Sequence, residues 1–134
     1  MVQVLVVDDS QFFQQLYANE LKKAGFEVEI AVDGEDAIAK MQSIKPRLVF
    51  MDIEMPKLTG IDALVKIKAD ESIKTIPVVM LTSMSADKAG EDSLMKGAVA
   101  YLTKSDVSAE SVVKKAEEIL GTSKAPLDPQ KAVN

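Results

Sequence analysis

The chain has 134 residues, 16 Lys and Arg against 21 Asp and Glu, no His, no Cys and a net charge of −5 at pH 7. That length suits one domain of the common ~100–150 residues, and 47% apolar with 28% charged content describes a folded core. Disulfides, thiolate or imidazole metal sites, cysteine nucleophiles and Ser-His triads are excluded, an acidic balance argues against direct nucleic-acid binding and the single Arg47 against an arginine fork on a phosphate, leaving carboxylate, hydroxyl and lysine chemistry.

Hydrophobic periodicity alternates between strand and helix patterns along the chain. Val2 to Val7 is a β-branched run, apolar on both faces as a buried parallel strand should be. Ser10 to Ala24 carries Phe13, Leu16, Tyr17, Leu21 and Ala24 at helical spacing, and Gly25 sits where a helix would end. Phe26 to Val32 is the second expected strand, and Asp33-Gly34 opens a helix bearing Ala37, Ile38 and Met41 that stops near Lys45-Pro46. Leu48 to Met51 is the third strand, and Gly60 to about Ala69 a helix with Ile61, Leu64, Val65 and Ile67. Ile76 to Leu81 is the fourth strand, followed by a weak helix over Ser85 to Lys96 containing the unfavourable Gly90. Val99 to Leu102 is the fifth strand, and Ser108 to Leu120 a last helix ending at Gly121.

Five β-α repeats imply an α/β fold, a doubly wound parallel sheet with helices on both faces. Its expected strand order is the flavodoxin-like 2-1-3-4-5. Residues 1–121 form the expected domain, and 122–134, with Pro126 and Pro129, a tail or the start of a linker. The longest apolar run, Ile76 to Leu81, is far short of the ~18 residues of a membrane span. No basic leader precedes Val2-Gln3-Val4-Leu5, so a cytoplasmic protein without membrane insertion is expected.

In such a sheet, ligands bind beyond the carboxyl ends of the strands where the strand order reverses. The first strand ends in Asp8-Asp9 and the third in Asp52, so three carboxylates converge there. A lone Asp after a strand is often a turn residue or a helix cap, and Asp9 or Ser10 is expected to cap the first helix. Three together repel unless protonated or neutralised, and an all-oxygen set of few ligands suits Mg²⁺. The fourth strand adds Thr82-Ser83 and the fifth leads to Lys104. A hydroxyl and an ammonium beside carboxylates are partners for a phosphoryl group, although singly Thr82 reads as a cap and Lys104 as a solvated lysine.

Val6-Val7-Asp8-Asp9-Ser10, Met51-Asp52-Ile53-Glu54-Met55-Pro56 with Gly60, Leu81-Thr82-Ser83, and Gly97-Ala98 through Tyr101 to Lys104 together resemble the receiver domains of two-component response regulators, the CheY-like family. The resemblance covers residues 1 to about 121 and points to a stand-alone receiver. It implies that Asp52 accepts a phosphoryl group from the histidine of a partner kinase or phosphotransfer protein. It further implies that Asp8, Asp9, Asp52 and the Glu54 main-chain carbonyl hold Mg²⁺, and that Thr82 and Lys104 bind phosphoryl oxygens. Tyr101 becomes an aromatic switch that follows Thr82, and an unidentified downstream protein is met by the face of the fourth helix, fifth strand and fifth helix. Such a domain catalyses its own phosphorylation and dephosphorylation but turns over no external substrate.

Family members often carry Pro after the active-site lysine, with a cis bond; here Ser105 follows Lys104, and a trans bond is expected because a cis non-proline bond costs ~3 kcal/mol. By the same resemblance, Glu54 and Met84, two residues after Asp52 and Thr82, are expected at the mouth of the site, where they would tune the phosphoryl lifetime. Met84 shields and has the larger effect. Three rivals share parts of this pattern. An Asp-nucleophile phosphatase wants Asp-x-Asp after its first strand, where Ser10 stands; a flavodoxin's phosphate would be repelled by Asp8-Asp9; a degenerate receiver would lack an acid, the hydroxyl or the lysine.

Overall fold

A computed structural model of the protein describes residues 2–83, 88–104 and 109–121. Ten elements alternate in chain order: β1 (Val4–Val7), α1 (Gln11–Lys23), β2 (Val28–Ala31), α2 (Gly34–Ile44), β3 (Leu48–Asp52), α3 (Gly60–Lys68), β4 (Val78–Thr82), α4 (Lys88–Met95), β5 (Ala100–Thr103) and α5 (Ala109–Leu120). The five strands form one parallel sheet in the order β2-β1-β3-β4-β5, as expected.

Strand alternation divides the core in two. Val4, Val6, Leu48, Phe50, Val79 and Leu81 pack with Tyr17 and Leu21 of α1 and Val112 and Ala116 of α5. Leu5, Val7, Val49, Met51, Val78 and Met80 pack on the opposite side with Met41, Leu64 and Ile67 of α2 and α3. Both faces of β1, β3 and β4 are thus sealed, which is why these strands read as unbroken apolar runs.

Local chemistry sets the boundaries. Ser10 caps α1 by accepting from the Phe13 N–H at 3.5 Å, Asp33 caps α2 from Asp36 at 2.8 Å, and Thr59 caps α3 from Asp62 at 3.2 Å. Phe26 is spent on closing α1, its N–H bonding the Leu21 carbonyl at 3.0 Å, so β2 starts two residues later than expected. Pro77 has no N–H to donate, so β4 begins at Val78 instead of Ile76. Ile76 and the fully buried Ile73 pack against the α2–α3 side of the core from the turns before it. Val99 is 51% exposed and β5 runs from Ala100 to Thr103, one residue later than expected. The start of the expected fourth helix at Ser85, the Lys104–Ser105 bond and the 122–134 tail lie outside the described residues.

Register levels the strand ends. Val7 pairs with Met51, so Asp8 and Asp52 emerge side by side. Thr82 pairs with Thr103, which delivers Lys104 to the same edge.

Candidate functional site

The carboxyl edge of the sheet opens into a cleft of about 440 Å³ lined by Asp8, Asp9, Ser10, Phe13, Asp52, Glu54, Ser83 and Lys104. Asp8 is fully buried and firmly held. Its Oδ1 accepts from the Ser10 N–H at 2.9 Å, and its main-chain oxygen accepts from the Gln14 side chain at 2.7 Å. Asp52 is 3% exposed and its Oδ1 accepts from the Glu54 N–H at 3.2 Å. Asp9 is exposed, and carboxylate oxygens of Asp8, Asp9 and Asp52 lie within 4.8 Å of one another.

Lys104 bridges two of these acids. Its ammonium is 2.7 Å from Asp8 Oδ2 and 3.4 Å from Asp52 Oδ2, on a side chain only 8% exposed. The strand-end backbone helps to aim it, the Lys104 N–H donating to the Thr82 carbonyl at 2.6 Å. Four carboxylates and one ammonium therefore line the cleft among the described residues. Charge is left over. Burial pushes the Asp52 carboxyl up to about 7, against the pull of Lys104 and with added repulsion from Asp8 and Glu54. The Tyr17 phenol behind them is pushed up to about 12 by burial and by the charges of Asp8 and Asp52.

The donor set fits a hard cation. It is all oxygen, over-supplied with negative charge, and reachable through Asp9 on the open side. Thr82 is fully buried, and its hydroxyl donates to Glu54 Oε2 at 3.0 Å. The Ser83 N–H and hydroxyl both donate to Glu54 Oε1 at 3.0 Å. Glu54 thus lines the cleft on its exposed side, with its carboxylate gripping the end of β4. Tyr101 is half-buried and packs against the α2–α3 side of the core. Met84 lies outside the described residues.

Asp8, Asp9, Asp52, Thr82, Glu54 and Lys104 all meet at this edge, and Tyr101 sits two register positions below the Thr82–Thr103 pair. Three further contributions go beyond what spacing indicates. The Phe13 ring lies under Lys104, 4.1 Å from the ammonium to the ring centroid, although helical periodicity marks it only as a core residue. Gln14 anchors Asp8, and Ser83 shares the Glu54 carboxylate.

The sequence matches the family described as the response regulator receiver domain over residues 4–117. The chain is a receiver domain. Receivers are phosphorylation-activated signalling switches, and that is the functional class of this chain. It is 37% identical over 126 residues to protein PilG of Pseudomonas aeruginosa, covering 92% of this chain and 86% of PilG. It is 43% identical over 105 residues to a protein-glutamate methylesterase/protein-glutamine glutaminase of Geobacter sulfurreducens, covering 77% of this chain but only 29% of that protein. Vibrio cholerae chemotaxis protein CheY4 superposes with a TM-score of 0.81 at 32% identity, over 90% of this chain and 99% of CheY4. The receiver thus spans nearly all of some relatives and a minor part of others. No helix among its described residues is long and apolar enough to cross a membrane.

Proposed function

We propose that Asp52 is the phosphoacceptor, taking its phosphoryl group from a phosphohistidine on a partner kinase or phosphotransfer protein. The supporting observation is the Lys104 ammonium lying between Asp8 and Asp52 at the bottom of an acid-lined cleft. Asp52 is close to the one fixed positive charge that an incoming anion needs. In transfer, an Asp52 carboxylate oxygen attacks phosphorus, the phosphorus–nitrogen bond breaks, and the imidazole leaves with its electron pair. Asp8, Asp9, Asp52 and the Glu54 carbonyl would hold Mg²⁺, which when bound offsets the carboxylate charge and that of the transferring oxygens. Lys104 offers its ammonium and Thr82 its hydroxyl to the phosphoryl oxygens. The domain acts on itself and not on an external substrate.

Glu54 gives the switch its resting contact. Its carboxylate occupies the Thr82 hydroxyl and the Ser83 N–H, donors that a phosphoryl group would claim. Phosphorylation then exchanges one anion for another at the end of β4. Thr82 leaves Glu54, Tyr101 follows, and the face of α4, β5 and α5 changes its affinity for a downstream protein. Glu54 and Met84 tune how long the phosphoryl group survives.

The test is incubation with a small acyl phosphate and Mg²⁺, read by mass. The protein gains one phosphoryl group, and a chelator prevents the gain. Thr82→Ala still gains it but loses the chemical-shift changes of α4 and β5 that accompany phosphorylation of the unsubstituted chain. Equal shift changes in both proteins would remove Thr82 from the coupling.

A further inference from the structure

We propose that Phe13 is a positioning residue for phosphoryl transfer, its ring holding the Lys104 ammonium in place while the acids around it change partners. This rests on the reading of Asp52 as acceptor. The ammonium lies 4.1 Å from the Phe13 ring centroid, well within the ~6 Å over which a cation is drawn to an aromatic face. The ring itself is fixed. It stacks on Tyr17 with centroids 5.7 Å apart and planes at 21°, and meets Phe12 edge-on at 5.1 Å and 78°. Tyr17 is 1% exposed and anchored in the core, so the platform beneath Lys104 is tied to the body of the fold.

The chemistry explains why an aromatic ring suits this place. Lysine is a point charge on a flexible four-carbon stem and must be held by its surroundings. The two groups that hold it now, Asp8 and Asp52, are also the candidate cation ligands, and Asp52 is the candidate acceptor. Each therefore takes on another partner during the reaction, and its grip on the ammonium changes. Phe13 neither ionises nor ligates. Its attraction for the ammonium persists through every such exchange, and its apolar bulk keeps water from that side of the cation. A carboxylate in its place would compete with the phosphoryl group for Lys104; an aliphatic residue would pack without attracting it.

Three variants of the full chain decide the matter: Phe13→Leu, Phe13→Trp and Phe13→Tyr. In metal-free protein, the Lys104 Cε and Nζ proton resonances carry an aromatic ring-current shift. It is lost in Phe13→Leu and kept in the two aromatic variants. Thermal melts identify any variant that has failed to fold. With acyl phosphate and Mg²⁺, Phe13→Leu is phosphorylated about five-fold more slowly, the change that ~1 kcal/mol produces. The aromatic variants stay within about two-fold of the unsubstituted rate. A Phe13→Leu variant that reacts at the unsubstituted rate would overturn the proposal, as would equal slowing in all three. An unsubstituted chain that takes up no phosphoryl group would defeat the assignment of Asp52, while the ring-current arm would still report separately on the contact between Phe13 and Lys104.

Discussion

Asp52→Asn should take up no phosphoryl group from an acyl phosphate and should be more stable than the unsubstituted domain at pH 7.5. The first result would follow from loss of the proposed nucleophilic carboxylate, and mass spectrometry reads it; undiminished labelling of the variant would move the acceptor elsewhere. The second follows from linkage. Asp52 is raised from the ordinary 3.8 to about 7 in the folded protein. Between those values the folded state holds a proton that the unfolded chain releases, so stability declines as pH rises through this window. Asparagine carries no such proton. The two proteins should therefore have equal stability near pH 3.5 and diverge above it, the variant leading by about 2–4 kcal/mol at pH 7.5, since each unit is worth ~1.4 kcal/mol. Urea titrations across pH measure the gap, and Mg²⁺ should narrow it by neutralising Asp52. A gap independent of pH would show that burial of the Asp52 charge is not its source.

Gly60→Ala should be strongly destabilising. Gly60 opens α3 immediately behind Asp52, its N–H donating to the Ile53 carbonyl at 2.8 Å. A Cβ there would lie 2.2 Å from the Asp52 main-chain oxygen, 2.8 Å from the Ile53 Cα and 2.9 Å from the Met80 Cε. The Met80 terminus can swing away, but the first two atoms belong to the backbone that places Asp52. Relief requires α3 to lift from β3, at a cost of about 3 kcal/mol or more, the upper range of overpacking. The melting temperature should fall by roughly 10 °C or more, and phosphoryl uptake at the proposed acceptor should fall with it. A melt unchanged from that of the parent would mean that the helix start is free to shift.

The elements were legible where a single demand decided them. β1, β3 and β4 are sealed on both faces and could be nothing but short apolar runs. Parallel pairing then puts every strand's last residue on one edge, so Asp8, Asp52, Thr82 and Lys104 could be grouped without any structure. Legibility ended where a residue serves two demands. Phe26 looks like strand but closes a helix, and Ile73 belongs to the core while sitting in turns. Phe13 fits the helical stripe so well that nothing in its spacing separates a core ring from one lying against the lysine just past β5. Glu54 was placed at the mouth, but its hold on Thr82 and Ser83 depends on side-chain geometry that no periodicity encodes.

Lys104 lies 96 positions beyond Asp8, and that separation bears on how the chain assembles. β1, β3 and β4 can pair as soon as residue 82 is available, and their pairing gathers Asp8 and Asp52 at one edge. Until β5 docks, that edge lacks the ammonium that offsets it. Coulomb repulsion therefore works against the four-strand assembly, and relief comes only with the last strand. The acidic cluster should act as a kinetic checkpoint, keeping the sheet open until β5 closes it and leaving the incomplete form sparsely populated at neutral pH. Pulse-labelled amide exchange during refolding would then show β1 and β3 gaining protection together with β5 at pH 7.5, and ahead of it at pH 5; protection of β1 and β3 well before β5 at both pH values would exclude the checkpoint.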